Sequence, residues 1–493
     1  MRCFKPRRPS GAGASSSRKY RISVSATLSR RAALSLAAAG AGTAALPKGA
    51  LAAQPGRRPN ILFILADDMG YADLSCYGRR DYQTPRLDQL ASEGLRFTSA
   101  YANSAVCTAT RVALITGRYQ YRLPVGLEEP LANRENIGLP PEHPTLPSLL
   151  RKAGYATALV GKWHLGSLPA FDPLKSGYEH FWGLRGGAID YFTHASSNGK
   201  PDLWDGPTPL AKAGYTTDLL ADHAIDVLRE FGQRSRPWFM SLHFTAPHWP
   251  WETPEDEAEA RRLAALGNPE AQFHYDGGSA ATYAAMVTRL DLQVGRILDA
   301  LAASGQADNT IVVFTSDNGG ERFSDTWPFS GHKTELLEGG LRIPAIVRWP
   351  GVTKPGSTSD AQIISMDWLP TFVAAAGGAA DADFAPDGTD LRAALEGGAL
   401  PERTLFWRYK GHGQQAARKG RFKYLKIEDN TFLFDVVADP LERANLKLRK
   451  PDIYADLAQS WAVWDKTMLA LDPASYTHGL TGEHTADHYG NDK

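Results

Sequence analysis

The chain has 493 residues, of which 43% are hydrophobic and 22% charged, a composition typical of a globular protein with a large core. Its 54 basic and 54 acidic residues balance, but the first 52 residues hold ten of the bases and no acid. The remainder carries a net charge of −10, which argues against nucleic acid or a general anionic surface as a partner.

Segment 1–52 has the pattern of an export signal. A weakly apolar run over 32–46 follows Arg30 and Arg31, and the small residues at 50–52 offer a cleavage site. The paired arginines also suit the twin-arginine route. A disordered basic arm or a membrane anchor is the alternative, although the run is too short and too rich in Ala and Gly to span a bilayer. We therefore expect an exported protein, periplasmic or secreted, that does not span the membrane.

A continuous apolar run from Asn60 to Ala66 predicts a strand that is buried on both faces. Asp67 and Asp68 follow immediately. In open α/β sheets ligands bind beyond the carboxyl ends of the strands, and two adjacent carboxylates there need compensation. A pair of turn or helix-capping aspartates is the structural alternative.

A helix is predicted over 84–94, and another begins near Cys107. Cys107 would lie at a helix N-terminus, where free N–H groups and the helix dipole favour an anion. Arg111 falls one turn further on the same face, so the pair suits an anionic substrate. The competing interpretation is a structural cysteine in a core helix. Only Cys76 is left as a second cysteine beyond the export signal, so neither a disulfide framework nor a thiolate zinc site is indicated.

Two further predicted strands lead to basic and imidazole side chains. The run 155–160 precedes Lys162 and His164, which alternate along an extended chain and could point the same way. The run 238–244 precedes His248, which prolines flank on both sides. A solvent-facing lysine and packed histidines are the structural alternative.

The second half of the chain repeats the pattern of the first strand. A buried strand over 310–315 ends at Asp317 and Asn318, and two such strand ends in a parallel sheet can bring oxygen ligands to one hard cation. Lys333 follows, and a fifth strand is predicted over 345–349.

The alternation of buried strands and helices indicates an α/β fold with a large, mostly parallel sheet flanked by helices. Shorter β runs (404–409, 421–427 and 431–436) and a helix over 452–469 predict a small C-terminal antiparallel β-sheet plus helix subdomain. We therefore divide the chain into the signal, 1–52, a main domain, 53–400, and a small α+β subdomain with a tail, 401–493.

The polar clusters, taken together and in chain order, resemble the type I sulfatases of the alkaline phosphatase superfamily from about Asn60 to about Leu446. The motifs that carry the resemblance are Asp67-Asp68, the signature Cys107 to Arg118, Gly161 to Gly166, Pro247-His248, Asp317 to Gly319, Lys333 with Glu338 to Gly340, and Asp439 to Glu442. The resemblance makes 53–400 a sulfatase catalytic domain.

The resemblance implies that a formylglycine-generating enzyme oxidises Cys107 to formylglycine, an aldehyde whose hydrate is the nucleophile and forms a covalent sulfate-enzyme intermediate. Ala109 occupies the position where the family usually has proline, a tolerated variant of the pattern. The implied calcium ligands are Asp67, Asp68, Asp317, Asn318 and an oxygen of modified Cys107. The implied catalytic residues are Cys107, Arg111, Lys162, His164, His248 and Lys333, with His248 as the acid that protonates the leaving oxygen.

The expected substrate is a small-molecule or carbohydrate sulfate ester, and an aryl sulfate would serve as a probe. Five tryptophans are candidates for sugar stacking or for plain core packing: Trp163, Trp182, Trp204, Trp249 and Trp251. The alternatives are a phosphonate or phosphate ester hydrolase of the same superfamily, a non-catalytic anion-binding homologue with an unmodified cysteine, and thiol hydrolysis by Cys107 with His164 as base.

Overall fold

The computed structural model describes residues 57–132, 134–268 and 277–478. The predicted export signal, 1–52, lies outside the described residues, as does segment 479–493 of the predicted tail.

The strands are β1 (Asn60–Ala66), β2 (Leu95–Phe97), β3 (Ala100–Tyr101), β4 (Ala156–Lys162), β5 (His180–Leu184), β6 (Trp204–Asp205), β7 (Thr208–Pro209), β8 (Trp238–His243), β9 (Thr310–Ser316), β10 (Ala345–Arg348), β11 (Ser357–Ser359), β12 (Ile363–Ile364), β13 (Thr404–Tyr409), β14 (Gln414–Lys419), β15 (Phe422–Ile427) and β16 (Asn430–Asp435).

The α-helices are α1 (Pro85–Glu93), α2 (Cys107–Thr116), α3 (Leu146–Lys152), α4 (Thr216–Gly232), α5 (Glu257–Ala264), α6 (Ala280–Ala303), α7 (Glu338–Leu341), α8 (Trp368–Ala375), α9 (Arg392–Leu395) and α10 (Pro451–Asp465).

Ten strands form one large sheet in the order β11-β2-β10-β9-β1-β8-β4-β5-β6-β7. The five central strands, from β9 to β5, are parallel, and only β10 and β6 run against the other strands of this sheet. The prediction of a large, mostly parallel sheet is therefore confirmed.

Helices cover both faces of this sheet, which explains why its central strands are mostly apolar. Along β1, Leu62 and Ile64 pack into a core that includes residues of α1, α4 and α6. The alternate residues Ile61 and Phe63 pack into a second core with residues of α2, α3 and α8. Every residue of β1 is buried.

The C-terminal strands β13 to β16 form a separate antiparallel sheet, which confirms the predicted small β-sheet. Its second strand, β14, is absent from the sequence-based prediction. Lys423 on β15 joins this sheet to helix α7 through a buried ion pair with Glu338 at 3.0 Å, and it also lies 2.9 Å from Glu442. These two glutamates belong to two of the motifs on which the family resemblance rests.

None of the described helices combines the length and apolarity that a bilayer crossing requires.

Candidate active site

Four adjacent parallel strands, β9, β1, β8 and β4, end at the same edge of the large sheet. Asp67 directly follows β1, Lys162 is the last residue of β4, and Asp317 directly follows β9. His248 lies five residues beyond the end of β8. The topology thus brings the predicted site residues together at the edge where open α/β sheets bind ligands.

Cys107 is the first residue of α2 and is 1% exposed. Its Sγ and carboxylate oxygens of Asp67 and Asp317 all lie within 4.8 Å of one another. Burial raises the pKa of the Cys107 thiol, although the ammonium groups of Lys162 and Lys333 oppose the shift. The cysteine therefore faces the carboxylates as a neutral thiol, which is a weak nucleophile.

Ala109 lies in the first turn of α2 and is fully buried. The first hydrogen bond within the helix runs from Thr110 N to Val106 O. Because the N–H of residue 109 has no helical acceptor, proline at this position would remove no helical hydrogen bond.

Arg111 lies one turn after Cys107 and is 2% exposed. Its Nε and Nη2 donate to Oδ2 of Asp317 at 3.1 and 2.8 Å, and Nη2 lies 3.6 Å from Oδ1 of Asp67. Its Nη1 donates to the carbonyl oxygen of Lys162 at 3.2 Å. The guanidinium is thus fixed between the ends of β1, β4 and β9.

Two buried lysines pair with the two aspartates that follow β1. Lys162 Nζ lies 2.6 Å from Oδ2 of Asp67, and Lys333 Nζ lies 2.6 Å from Oδ2 of Asp68. Burial and repulsion by Asp317 raise the pKa of Asp67 well above its usual value, despite Lys162. Burial opposes ionisation of Asp68 as well, but Lys333 holds its pKa well below the usual range.

Two oxygens of this cluster are buried and accept no hydrogen bond from any described residue, namely Oδ1 of Asp67 and Oδ1 of Asn318. Asn318 uses its Nδ2 to donate to Oδ1 of Asp68 at 2.7 Å. Unpaired buried oxygens are costly unless a ligand satisfies them. Carboxylate and amide oxygens are the ligands that Ca²⁺ prefers, so the donor set fits a hard divalent cation.

His164 leaves β4 in the left-handed region, with φ of 56°, so the chain after Lys162 is not extended as the sequence suggested. Its Nε2 lies 3.0 Å from the carbonyl oxygen of Leu131 and must carry a proton to donate to it. Nδ1 is then a buried acceptor without a partner among the described residues. Burial and Lys162 lower the pKa of His164 well below its ordinary value, so the ring is neutral.

His248 lies between two cis peptide bonds, Ala246–Pro247 and Trp249–Pro250. Its Nδ1 donates to the carbonyl oxygen of Trp249 at 2.5 Å, and its Nε2 lies 3.5 Å from Oδ2 of Asp68. Burial lowers the pKa of His248 to about 3. The negative charge of Asp68 opposes this shift, and the positive charge of Lys333 adds to it. The imidazole is therefore neutral, with Nε2 available as an acceptor.

A cavity of about 380 Å³ opens over these residues. It is lined by Cys107, Pro130, Leu131, Ala132, His164, Gly187, Ala188, Ser197, His248, Trp249, Lys333, Tyr476 and His478. Of the five tryptophans considered from the sequence, only Trp249 is among the lining residues. Tyr476 and His478 were not predicted as site residues, because the segment after 470 has no periodic pattern that would have indicated them.

Comparison with known proteins agrees with the fold and with this geometry. The sulfatase family model matches residues 59–379. The chain is 34% identical over 429 residues to N-acetylgalactosamine-6-sulfatase of Canis lupus familiaris, covering 81% of this chain and 76% of the relative. It is 33% identical over 448 residues to arylsulfatase A of Homo sapiens, covering 84% of each chain.

Among solved structures, Ps i-CgsB in complex with k-i-k-neocarrahexaose superimposes with a TM-score of 0.75 at 28% identity, covering 87% of this chain and 97% of that chain. The family model spans more than half of the sequence, and the motifs from Asp67 to Gly340 fall within its match. The chain thus belongs to the sulfatase family, the sulfuric ester hydrolases of the alkaline phosphatase superfamily.

Proposed function

We propose that this protein hydrolyses sulfate monoesters through a formylglycine derived from Cys107, with a covalent sulfate-enzyme intermediate and one bound calcium ion. The observation that carries the proposal is the position of Cys107, at the N-terminus of α2 and within 4.8 Å of the carboxylates of Asp67 and Asp317. A buried, neutral thiol at that position is a poor nucleophile, whereas a hydrated aldehyde would offer one hydroxyl to attack sulfur and a second to release sulfate.

We assign the calcium ion to Asp67, Asp68, Asp317, Asn318 and an oxygen of the modified residue 107. The unpaired oxygens of Asp67 and Asn318 support this assignment. When bound, the ion would neutralise the carboxylates and polarise oxygens of the nucleophile and of the sulfate group.

The cations of the site would hold the sulfate group. Arg111 and Lys162 are fully or almost fully buried and fixed by carboxylates. Lys333 also lines the cavity beside Cys107. Preorganised charges in a site shielded from water stabilise the charge that develops in a transition state.

Two histidines are suited to proton transfer. His164 presents an unpaired Nδ1 in a ring that Leu131 orients, which suits an acceptor for a hydroxyl of the nucleophile. We assign His248 as the acid that protonates the leaving oxygen. The free site holds its ring neutral, so this role requires that the ring gain a proton as the anionic substrate binds.

We propose a sulfated carbohydrate as the natural substrate and small aryl sulfates as probes. The relatives support both parts, since one is named for N-acetylgalactosamine-6-sulfate and another for aryl sulfates. We further propose that segment 1–52 directs export to the periplasm or beyond and that a formylglycine-generating enzyme modifies Cys107. The catalytic domain would span 53–400 and the small C-terminal subdomain 401–493.

A direct comparison of sulfate and phosphate esters with the same leaving group tests the proposal. Purified protein is assayed with 4-nitrophenyl sulfate and 4-nitrophenyl phosphate under identical conditions, with Cys107→Ala as the control that lacks the nucleophile precursor. We expect a higher kcat/KM for the sulfate ester and no turnover by Cys107→Ala. A preference for the phosphate ester would instead favour phosphoryl transfer and overturn the proposal.

A further inference from the structure

One wall of the cavity comes from a segment far from the catalytic motifs, residues Ser475 to His478, which we call the strap. It forms a parallel β-bridge in which Thr477 pairs with Glu129. Glu129 N donates to Tyr476 O at 3.0 Å, and His478 N donates to Glu129 O at 2.6 Å. The strap is thus held by the backbone of a loop of the main domain.

Side chains fasten the strap at its N-terminal end. The carboxylate of Glu128 accepts from Tyr476 N at 3.2 Å and from Arg134 Nη1 at 2.6 Å. Lys410 Nζ donates to Ser475 Oγ at 3.0 Å. Arg134 and Glu128 are 31% and 1% exposed, so the anchor is shielded on one side.

The alternation of side chains along the strap determines which of them point into the cavity. In an extended segment, neighbouring side chains point to opposite sides. Tyr476 and His478 line the cavity, while the Thr477 hydroxyl faces the Glu129 carboxylate at 3.4 Å. The bridge to Glu129 therefore sets which two side chains reach the site.

The same loop connects the strap to the reacting centre. Leu131, two residues after Glu129, accepts from His164 Nε2 at 3.0 Å and donates its own N–H to Thr108 Oγ1 at 3.0 Å. Thr108 is the neighbour of Cys107 in α2. A short, hydrogen-bonded path thus fixes the distance between the strap and the nucleophile position.

We propose that the strap determines specificity, with Tyr476 and His478 contacting the sugar of a sulfated monosaccharide unit while the sulfate group lies deeper, against the buried cations. This inference rests on the proposed sulfatase function. The lysines and Arg111 are buried at the base of the site, whereas Tyr476 is 43% exposed. Together with Trp249, the strap supplies rings and polar tips, which match the C–H faces and hydroxyl groups of a sugar.

The cavity volume limits how much of a glycan can enter. At about 380 Å³ the cavity is near the lower end of ligand pockets. This volume fits a single sulfated sugar residue within the cavity, held by its sulfate at one side and by the strap at the other.

The test uses full-length, matured protein and the variants Tyr476→Ala, His478→Ala and Tyr476→Phe. Leu471→Ala is the matched control, because Leu471 lies four residues before the strap, is 39% exposed and is not among the cavity-lining residues. A panel of sulfated monosaccharides, including N-acetylgalactosamine 6-sulfate and glucosamine 6-sulfate, is assayed for sulfate release. Inorganic sulfate is titrated as a competitive inhibitor of every variant.

We expect the alanine variants to lose about 10-fold in kcat/KM on the sugar that the wild type hydrolyses best, mainly through KM, since each loses one ring contact. The Ki of inorganic sulfate should stay within about 2-fold of the wild type, because the strap does not contact the sulfate group. Tyr476→Phe should retain most of the activity, and Leu471→Ala all of it.

Wild-type activity on sugars in both alanine variants would overturn this inference alone. Turnover of aryl sulfates but of no sulfated sugar by the wild type would also overturn it, with the sulfatase proposal intact. A wild type that releases sulfate from no ester overturns the proposed function and this inference together. A weakened Ki for sulfate in the strap variants would contradict the assignment of the strap to the sugar.

Discussion

Lys162 donates a hydrogen bond to Oδ2 of Asp67 at 2.6 Å, and both side chains are fully buried. The other oxygen of Asp67, Oδ1, is left without a hydrogen-bond partner among the described residues. Lys162 thus satisfies Oδ2 of the carboxylate and fixes the orientation of Oδ1. Carboxylate oxygens of Asp67 and Asp317 form one compact group with Cys107 Sγ. This group and the unsatisfied Oδ1 are the basis for placing a cation there.

Removing one ligand oxygen should strongly weaken the response of the protein to calcium. After exhaustive chelation, we expect added Ca²⁺ to raise the wild-type Tm and restore activity, and Mg²⁺ to do so less well. At 100 times Kd the ion would contribute about 2.7 kcal/mol of stability. Asn318→Ala should lose most of this shift in a thermal unfolding scan.

Asn430→Ala is the control for that experiment, because Asn430 is exposed in the β15–β16 hairpin. It should respond to calcium as the wild type does. An equal calcium shift in Asn318→Ala and Asn430→Ala would rule out Asn318 as a ligand.

Arg111→Lys should reduce kcat/KM on 4-nitrophenyl sulfate by roughly 10²–10³-fold, as expected for the loss of a preorganised charge in a buried site. Lysine keeps the charge but loses the fork through which Nε and Nη2 both reach Asp317. Arg262→Lys, at an exposed position in α5, is the matched control and should leave the rate unchanged. Steady-state kinetics of the two variants test this prediction. Equal kcat/KM values for Arg111→Lys and Arg262→Lys would exclude a role for the geometry of the Arg111 guanidinium.

The pH dependence of stability should carry a contribution from Glu129. Burial raises the pKa of this carboxyl from 4.5 to about 7, so between these values the folded state holds a proton that the unfolded state has lost. Stability associated with this group is therefore full below pH 4.5, falls as pH rises, and is lost above about 7. Glu129→Gln cannot ionise and should escape this loss.

Relative to the wild type, Glu129→Gln should gain up to about 3 kcal/mol in the free energy of unfolding between pH 4.5 and 8. Urea unfolding at several pH values measures the difference. Glu428→Gln, at a position 64% exposed, serves as the control and should show no comparable gain. A pH-independent difference between Glu129→Gln and the wild type would contradict the assignment.

Ala109→Pro should fold normally, with a free energy of unfolding within about 1 kcal/mol of the wild type, because residue 109 lies in the first helical turn. We expect its conversion to formylglycine to equal or exceed that of the wild type when both are produced with the same maturation enzyme. Mass spectrometry of residue 107 and thermal unfolding test the two parts. A variant that unfolds at much lower temperature would show that the N–H of residue 109 has a structural role.

The sequence predicted the strand ends well, because a buried parallel strand must be apolar and any polar group just beyond it stands out. Asp67 and Asp317 are evident in this way, and β1 and β9 begin at the predicted residues. The orientation of β10 was not predictable in the same manner, since a strand of four mostly apolar residues reads the same whether it runs parallel or antiparallel to its neighbours.

The role of the strap could not be predicted from the sequence, for a physical reason. A single β-bridge between Thr477 and Glu129 places Tyr476 and His478 at the site. Such a long-range pairing produces no local periodicity in the sequence. Strand β14 was missed because its buried residues include Ala416 and Ala417, which carry little β-signal. Helix α5 is absent from the sequence-based prediction, and only Ala260 and Leu263 of its residues are buried.

The state of residue 107 tests the central claim most directly. The protein is isolated from its native host, digested with trypsin, and the peptide from Phe97 to Arg111 is analysed by mass spectrometry. We predict a peptide whose mass and fragment ions show an aldehyde, CHO, in place of the CH₂SH group of Cys107, and which reacts with a hydrazide probe. A peptide that carries only the unmodified thiol, in protein that releases sulfate from its substrate, would contradict the account.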